Sequence, residues 1–170
     1  MSEEEIKENN DNKEIMLKAV KERGKNLELA SSRLQDDEEV VEQALTQDGE
    51  ALEFASQRIK GIKKLVMLAI KTAPWTVCYA SEKLKADKEV MLESCQKDGQ
   101  SLYFASEELR DDKDVVKSAV QNKGIIIKYA SFRLRNDKEL AEIAVKQNKQ
   151  SFYFITPERK QDEEIKKIME

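Results

Sequence analysis

The segment from Ser101 to Val116, SLYFASEELRDDKDVV, gathers a hydroxyl (Ser106), two carboxylate pairs (Glu107-Glu108 and Asp111-Asp112) and an arginine between them, Arg110. Paired carboxylates are the material of general acid–base chemistry or of hard-cation binding, and a serine beside them raises nucleophilic catalysis. Two facts weigh against each chemistry. The chain has no histidine, so neither imidazole base nor imidazole ligand exists. The segment is also not singular.

It recurs as LELASSRLQDDEEVV from Leu27, VCYASEKLKADKEVM from Val77, LYFASEELRDDKDVV from Leu102 and IKYASFRLRNDKELA from Ile127, each step a multiple of 25 residues. Phased from Asp11, the repeats are 11–35, 36–60, 61–85, 86–110, 111–135 and 136–160, followed by a half repeat, 161–170. A fixed period of this size predicts a solenoid or array whose units bury their apolar faces only by stacking. An enzyme using Glu107, Glu108, Asp111 and Asp112 would need one unit to carry acids the others lack. The acids recur, which points to capping and to a non-catalytic chain with no cofactor and no metal.

Each repeat reads as a helix-turn-helix. The first helix opens at Asp11-Asn12, Asp36-Asp37, Asp111-Asp112 or Asn136-Asp137. An acid three residues after the first of the pair (Glu14, Glu39, Asp114, Glu139) gives a capping-box-like start. Apolar residues at repeat positions 5, 6, 9 and 10 form one stripe, as with Val115, Val116, Ala119 and Val120. Position 14 holds Gly24, Gly49, Gly99 and Gly124, expected as left-handed residues ending that helix. The second helix is short, with core residues expected at position 17 and at position 19 (Leu29, Phe54, Tyr79, Phe104, Tyr129, Phe154). Position 20 is Ala in five repeats. Position 21 is Ser in five repeats and Thr156 in the sixth. There Thr156-Pro157-Glu158 is a cap, a first-turn proline and an acid, so the serines are expected to cap a last short turn as well.

Residues 1–10 lie outside the repeat register and read as a tail or polar cap; 161–170 reads as a capping helix. The whole reads as one domain without a linker: an all-α solenoid of six 25-residue repeats. The third repeat departs most. Gly61-Ile62 replaces the acid pair, Ala73-Pro74-Trp75 replaces the glycine stop, and the apolar run 65–70 predicts a helix packed on all sides.

Net charge is −4, which argues against nucleic acid, and no apolar run reaches the roughly 20 residues of a membrane span. The N-terminus lacks the basic and apolar regions of a secretory signal, and two cysteines make no disulfide framework, so a cytoplasmic setting is expected. Repeat charge alternates in sign over the first five repeats, suggesting electrostatic complementarity between neighbours.

Two sets of residues remain as candidate sites. Positions 15, 18 and 22 are spaced to share a face of the second helix. They are polar in the first two repeats and then carry Trp75, Cys78, Tyr103, Ile125, Phe132 and Tyr153, a possible stripe for a protein or peptide partner. The competing reading packs these residues onto the next repeat. A basic ladder, Arg33, Arg58, Lys60, Lys83, Lys85, Arg110, Arg133 and Arg135, either pairs with neighbouring acids or binds phosphate or nucleic acid.

The pattern carried by Tyr79-Ala80-Ser81, by Phe104-Ala105-Ser106-Glu107-Glu108-Leu109-Arg110 and by Asp112-Lys113-Asp114-Val115-Val116 resembles the repeat of the family catalogued as domain of unknown function 4116. The resemblance spans nearly the whole chain and implies tandem short helical repeats. It supplies no catalytic residues.

Overall fold

The structure, a computed structural model, describes residues 1–170, and all its regular elements are helices. The chain forms two compact units, Met1–Leu84 and Lys85–Glu170, where the sequence suggested one domain. The division falls at the end of the third repeat. Each unit is an all-α stack of three tandem repeats plus a terminal cap.

Every repeat opens with a ten-residue α-helix: Lys13–Glu22, Glu38–Gln47 and Lys63–Thr72 in the first unit, and Lys88–Lys97, Lys113–Asn122 and Lys138–Gln147 in the second. Ten residues span about 15 Å. The second residue of the polar pair is the N-cap. Asn12, Asp37, Asp87 and Asp112 each accept two backbone N–H groups, and Asp137 accepts the N–H of Leu140. The acid beyond it therefore sits two residues after the cap, where it favours the helix dipole without closing a capping box. Ile62 starts the third-repeat helix with no side-chain cap. That helix is not packed on all sides: Leu65, Val66, Ala69 and Ile70 are buried, while Met67 and Leu68 are half-buried.

The second element is a 3-10 helix, not an α-helix: Gly24–Leu29, Gly49–Phe54 and Pro74–Tyr79, then Gly99–Phe104, Gly124–Tyr129 and Lys149–Tyr153. It stops at Ala30, Ala55, Ala80, Ala105 or Ala130, all buried in extended backbone. A third short turn follows, such as Ser32–Gln35, Ile59–Gly61, Glu107–Arg110 and Phe132–Arg135. As expected, the hydroxyl at position 21 caps it: Ser31, Ser56, Ser106, Ser131 and Thr156 accept from the backbone N–H three residues on.

The glycines do not do what was expected of them. No residue has positive φ. A Cβ on Gly24 would lie 2.5 Å from the carbonyl oxygen of Ala44, and on Gly49, Gly99 and Gly124 it would lie 2.2, 2.4 and 2.3 Å from those of Ala69, Ala119 and Ala144. Glycine is there because the next repeat's helix passes that close. The glycine N–H also donates to that helix: Gly24 to Gln47 Oε1 (2.6 Å), Gly49 to Thr72 Oγ1 (3.1 Å), Gly99 to Asn122 Oδ1 (2.9 Å) and Gly124 to Gln147 Oε1 (2.6 Å). Lys149, in the sixth repeat, instead sends its Nζ to the carbonyl of Met169, 3.1 Å away.

Within each unit successive ten-residue helices form one row and successive 3-10 helices a second, the core lying between them. Leu27, Leu52, Val77, Leu102 and Ile127 from position 17, and Val40, Val66, Val90, Val116 and Leu140 from the ten-residue helices, are all fully buried in these cores. Position 19 is half-buried in all six repeats, against the core role expected of it. In a 3-10 helix residues three apart share a face. Positions 14, 17 and 20 therefore face inward together, and 19 is turned aside. Residues 1–10 contribute the helix Glu3–Glu8, with Ile6 buried, and the C-terminal helix Glu163–Met169 buries Ile165.

Candidate partner-binding surface

The reactive-looking groups are occupied in holding the repeats. Ser131 Oγ donates to Asp111 Oδ1, and Arg133 adds its Nε to the same oxygen (3.1 Å) and a second N–H to the Asp111 carbonyl (2.7 Å). Ser31 and Arg33 treat Asp11 the same way, as do Ser56 and Arg58 with Asp36. The hydroxyls, then the arginines, hold all three aspartates below the usual carboxylate range. Asp112 is opposed by burial. Lys88 and the N–H groups of Val115 and Asp114 outweigh that and hold it low as well. None of these is tuned upward as a general base would be, and no three Cys, Asp or Glu side chains converge on a metal-sized site.

Three repeats lack the aspartate at position 1. Where position 1 is Ala86, position 23 is Glu108, whose carboxyl is held low by its own backbone N–H and by Ser106. The acceptor has moved and the hydroxyl still has one. Where position 1 is Asn136, Thr156 donates to its Oδ1 (2.7 Å) and its amide donates to Glu158 (3.1 Å). Where it is Gly61, position 23 is Lys83, which is exposed.

The basic ladder divides in two. Arg33, Arg58 and Arg133 are the aspartate partners just described. Position 25 serves the 3-10 helix: Lys60 Nζ donates to the Glu53 carbonyl (2.7 Å), Lys160 to that of Tyr153 (3.2 Å) and Gln35 to that of Glu28 (3.4 Å). Burial pulls Lys60 below the ordinary lysine pKa. Arg135 reaches the Phe154 carbonyl at 3.4 Å. Lys85 is half-buried. The Nε atoms of Arg110, Arg135 and Arg159 are all buried without a partner, but Arg135 and Arg159 bond through their terminal N–H groups, whereas the Arg110 side chain makes no hydrogen bond or ion pair. Position 23 is exposed in every repeat, but it is basic only at Arg33, Arg58, Lys83 and Arg133 and acidic at Glu108 and Glu158, so no continuous cationic ladder faces outward.

The aromatic candidates do. Trp75 is 39% exposed, Tyr103 56%, Phe132 66% and Tyr153 73%. Cys78 and Ile125 are half-buried. Positions 15 and 18 share the outer face of the 3-10 helix. Position 22 does not, because the helix ends at position 19 or earlier, and Phe132 opens the next turn. Trp75 stands edge-on to Tyr79, ring centroids 5.8 Å apart, in the first unit. In the second, Tyr103 contacts Phe104 (5.1 Å) and Tyr129 (5.0 Å). The half-buried aromatics at position 19 therefore extend the surface, which sequence reasoning missed by placing them in the core. The signal was present: Gly, an aliphatic residue and Ala at positions 14, 17 and 20 have a spacing of three.

No curated protein and no solved structure matches the chain. A family model matches three times, over residues 12–60, 63–110 and 112–160. Each match takes in two of the 25-residue repeats, and together they cover most of the chain. The chain therefore belongs to the family described as Domain of unknown function (DUF4116).

Proposed function

We propose that the chain is a non-catalytic repeat scaffold whose exposed aromatic side chains, on the 3-10 helices and on the short turns that follow them, bind a protein or peptide partner. The observation that carries this reading is the outward placement of Trp75, Tyr103, Phe132 and Tyr153, large apolar side chains that stacking does not consume. Aromatic anchors of this kind dominate binding energy at interfaces. The reading is also supported by the pairing of Arg33, Arg58 and Arg133 with Asp11, Asp36 and Asp111, which engages groups that the competing chemistries would use.

The test is affinity capture from native lysate with the wild-type chain and with Trp75→Ala and Phe132→Ser. Loss of a captured protein in one or both variants, with unchanged thermal melting, is expected. Identical capture by all three chains would remove the reading.

A further inference from the structure

The two compact units differ in what their 3-10 helices display. In Met1–Leu84 these helices carry Glu28, Glu50 and Glu53. In Lys85–Glu170 they carry no acid: GQSLYF, GIIIKY and KQSFY hold only Lys128 and Lys149 as charges. Lys128 Nζ lies 4.8 Å from the ring centre of Tyr129 and 5.8 Å from that of Phe154. Beside this strip runs a groove of about 290 Å³ lined by Glu107, Arg110, Tyr129, Ala130 and Ser131. Arg110 is the unpaired guanidinium noted above. A guanidinium offers five N–H donors and accepts nothing; the Arg110 Nε is buried, so an anion in the groove would be met by the terminal N–H groups.

We propose that the 3-10 face of Lys85–Glu170 seats an extended acidic segment of another protein. One of its carboxylates is held by Arg110 beside Tyr129, and its apolar groups rest on Tyr103, Tyr129 and Phe154. This rests on the partner-binding role and names the partner's chemistry. Charge complementarity carries the choice: the strip is cationic and aromatic, and carboxylates pair with a guanidinium in a forked geometry. Single-stranded nucleic acid could stack on the same rings. A strand, however, brings a phosphate at every nucleotide, whereas an acidic segment needs only one carboxylate at Arg110, so Glu107 in the same groove and the net charge of −4 oppose the strand more.

A random dodecapeptide library displayed on phage, panned on the full chain, tests this, with selected peptides and single-stranded dT12 then titrated side by side. Enrichment in Asp and Glu is expected, with affinity falling about tenfold or more in Arg110→Gln and unchanged in Arg33→Gln. Glutamine stands at the same position in the first repeat, Gln35, so Arg110→Gln suits the fold, and a melting curve checks it. Neutral or basic binders that are lost in Tyr103→Ser would overturn the acidic assignment and leave the partner-binding reading standing. No enrichment would overturn both. Tighter binding of dT12 than of any selected peptide would replace the acidic segment with nucleic acid.

Discussion

Ser131 has two tasks, accepting from Leu134 N–H and donating to Asp111, whereas Ser81 faces Gly61 and has no acid at position 1 to meet. Ser131→Ala is therefore expected to cost about 1 kcal/mol, and Ser81→Ala less than about 0.5 kcal/mol. Urea titration of the two variants checks the difference. Cys95 is buried, and burial pushes its thiol up to about 12. At pH 8 almost none of it is thiolate, so a thiol reagent should reach Cys95 only when denaturant is added. Acid sensitivity follows from the caps. Asp37, Asp112 and Asp137 are held low despite opposing burial, and Lys117 and Lys113 draw Glu139 down to about 2. A carboxyl whose folded pKa lies below its unfolded value stabilises the fold above the unfolded pKa. That contribution is lost as pH falls through the folded pKa. The urea midpoint should hold from pH 7 to about 5 and then fall steadily toward pH 2; equal midpoints at pH 2.5 and pH 7 would contradict this.

At the scale of the element, glycine behaves opposite to its usual rule. Gly→Ala in a helix commonly stabilises. At Gly24, Gly49, Gly99 and Gly124 the added methyl would press on a backbone carbonyl, so each Gly→Ala is expected to cost about 1–3 kcal/mol by overpacking. Gly61 is the internal control: its nearest neighbour would be Ser81 Oγ at 3.8 Å, so Gly61→Ala should be nearly neutral in the same melting experiment. The sequence pattern could not distinguish these roles. A glycine at a helix end looks alike whether it needs a left-handed angle or a close neighbour, and the neighbour is 20 residues away. The 3-10 helices were hidden similarly. Six residues give too few turns to separate a period of 3.0 from 3.6, so Tyr129 and Phe154 read as core when they are half-exposed. The caps were legible because Thr156-Pro157 gave the position-21 hydroxyls a meaning that transferred to Ser31, Ser56, Ser106 and Ser131, though not to Ser81. Exposure of Trp75, Tyr103, Phe132 and Tyr153 was legible only as an asymmetry, since nothing local to those residues distinguishes a free face from a stacking one.

For the whole molecule, each unit's stability is a sum over adjacent repeats. The last junction is the most accessible to test. Removing residues 162–170 takes away Ile165, fully buried, and the acceptor of Lys138 at Asp162. The truncated chain should melt lower, with the earliest loss of amide protection in Lys138–Gln147; an unchanged melt would mean that the helix caps nothing. The ion pairs joining neighbouring repeats, such as Lys13 to Asp37 and Lys113 to Asp137, are part-exposed, so added salt should lower the melting temperature only slightly.

The hydroxyl and carboxylate that close each turn also bear on how such a chain changes over generations. Positions 1, 21 and 23 lie inside one 25-residue unit, so an in-frame copy of that unit carries donor and acceptor together. The glycine N–H bond and the Lys13-type bridge ask the next copy only for a polar acceptor at position 12 and an acid at position 2, which most copies already have. Duplicating or deleting one unit therefore disturbs a single joint. In the fourth repeat, where position 1 is Ala86, Glu108 keeps the exchange with Ser106 inside the same unit.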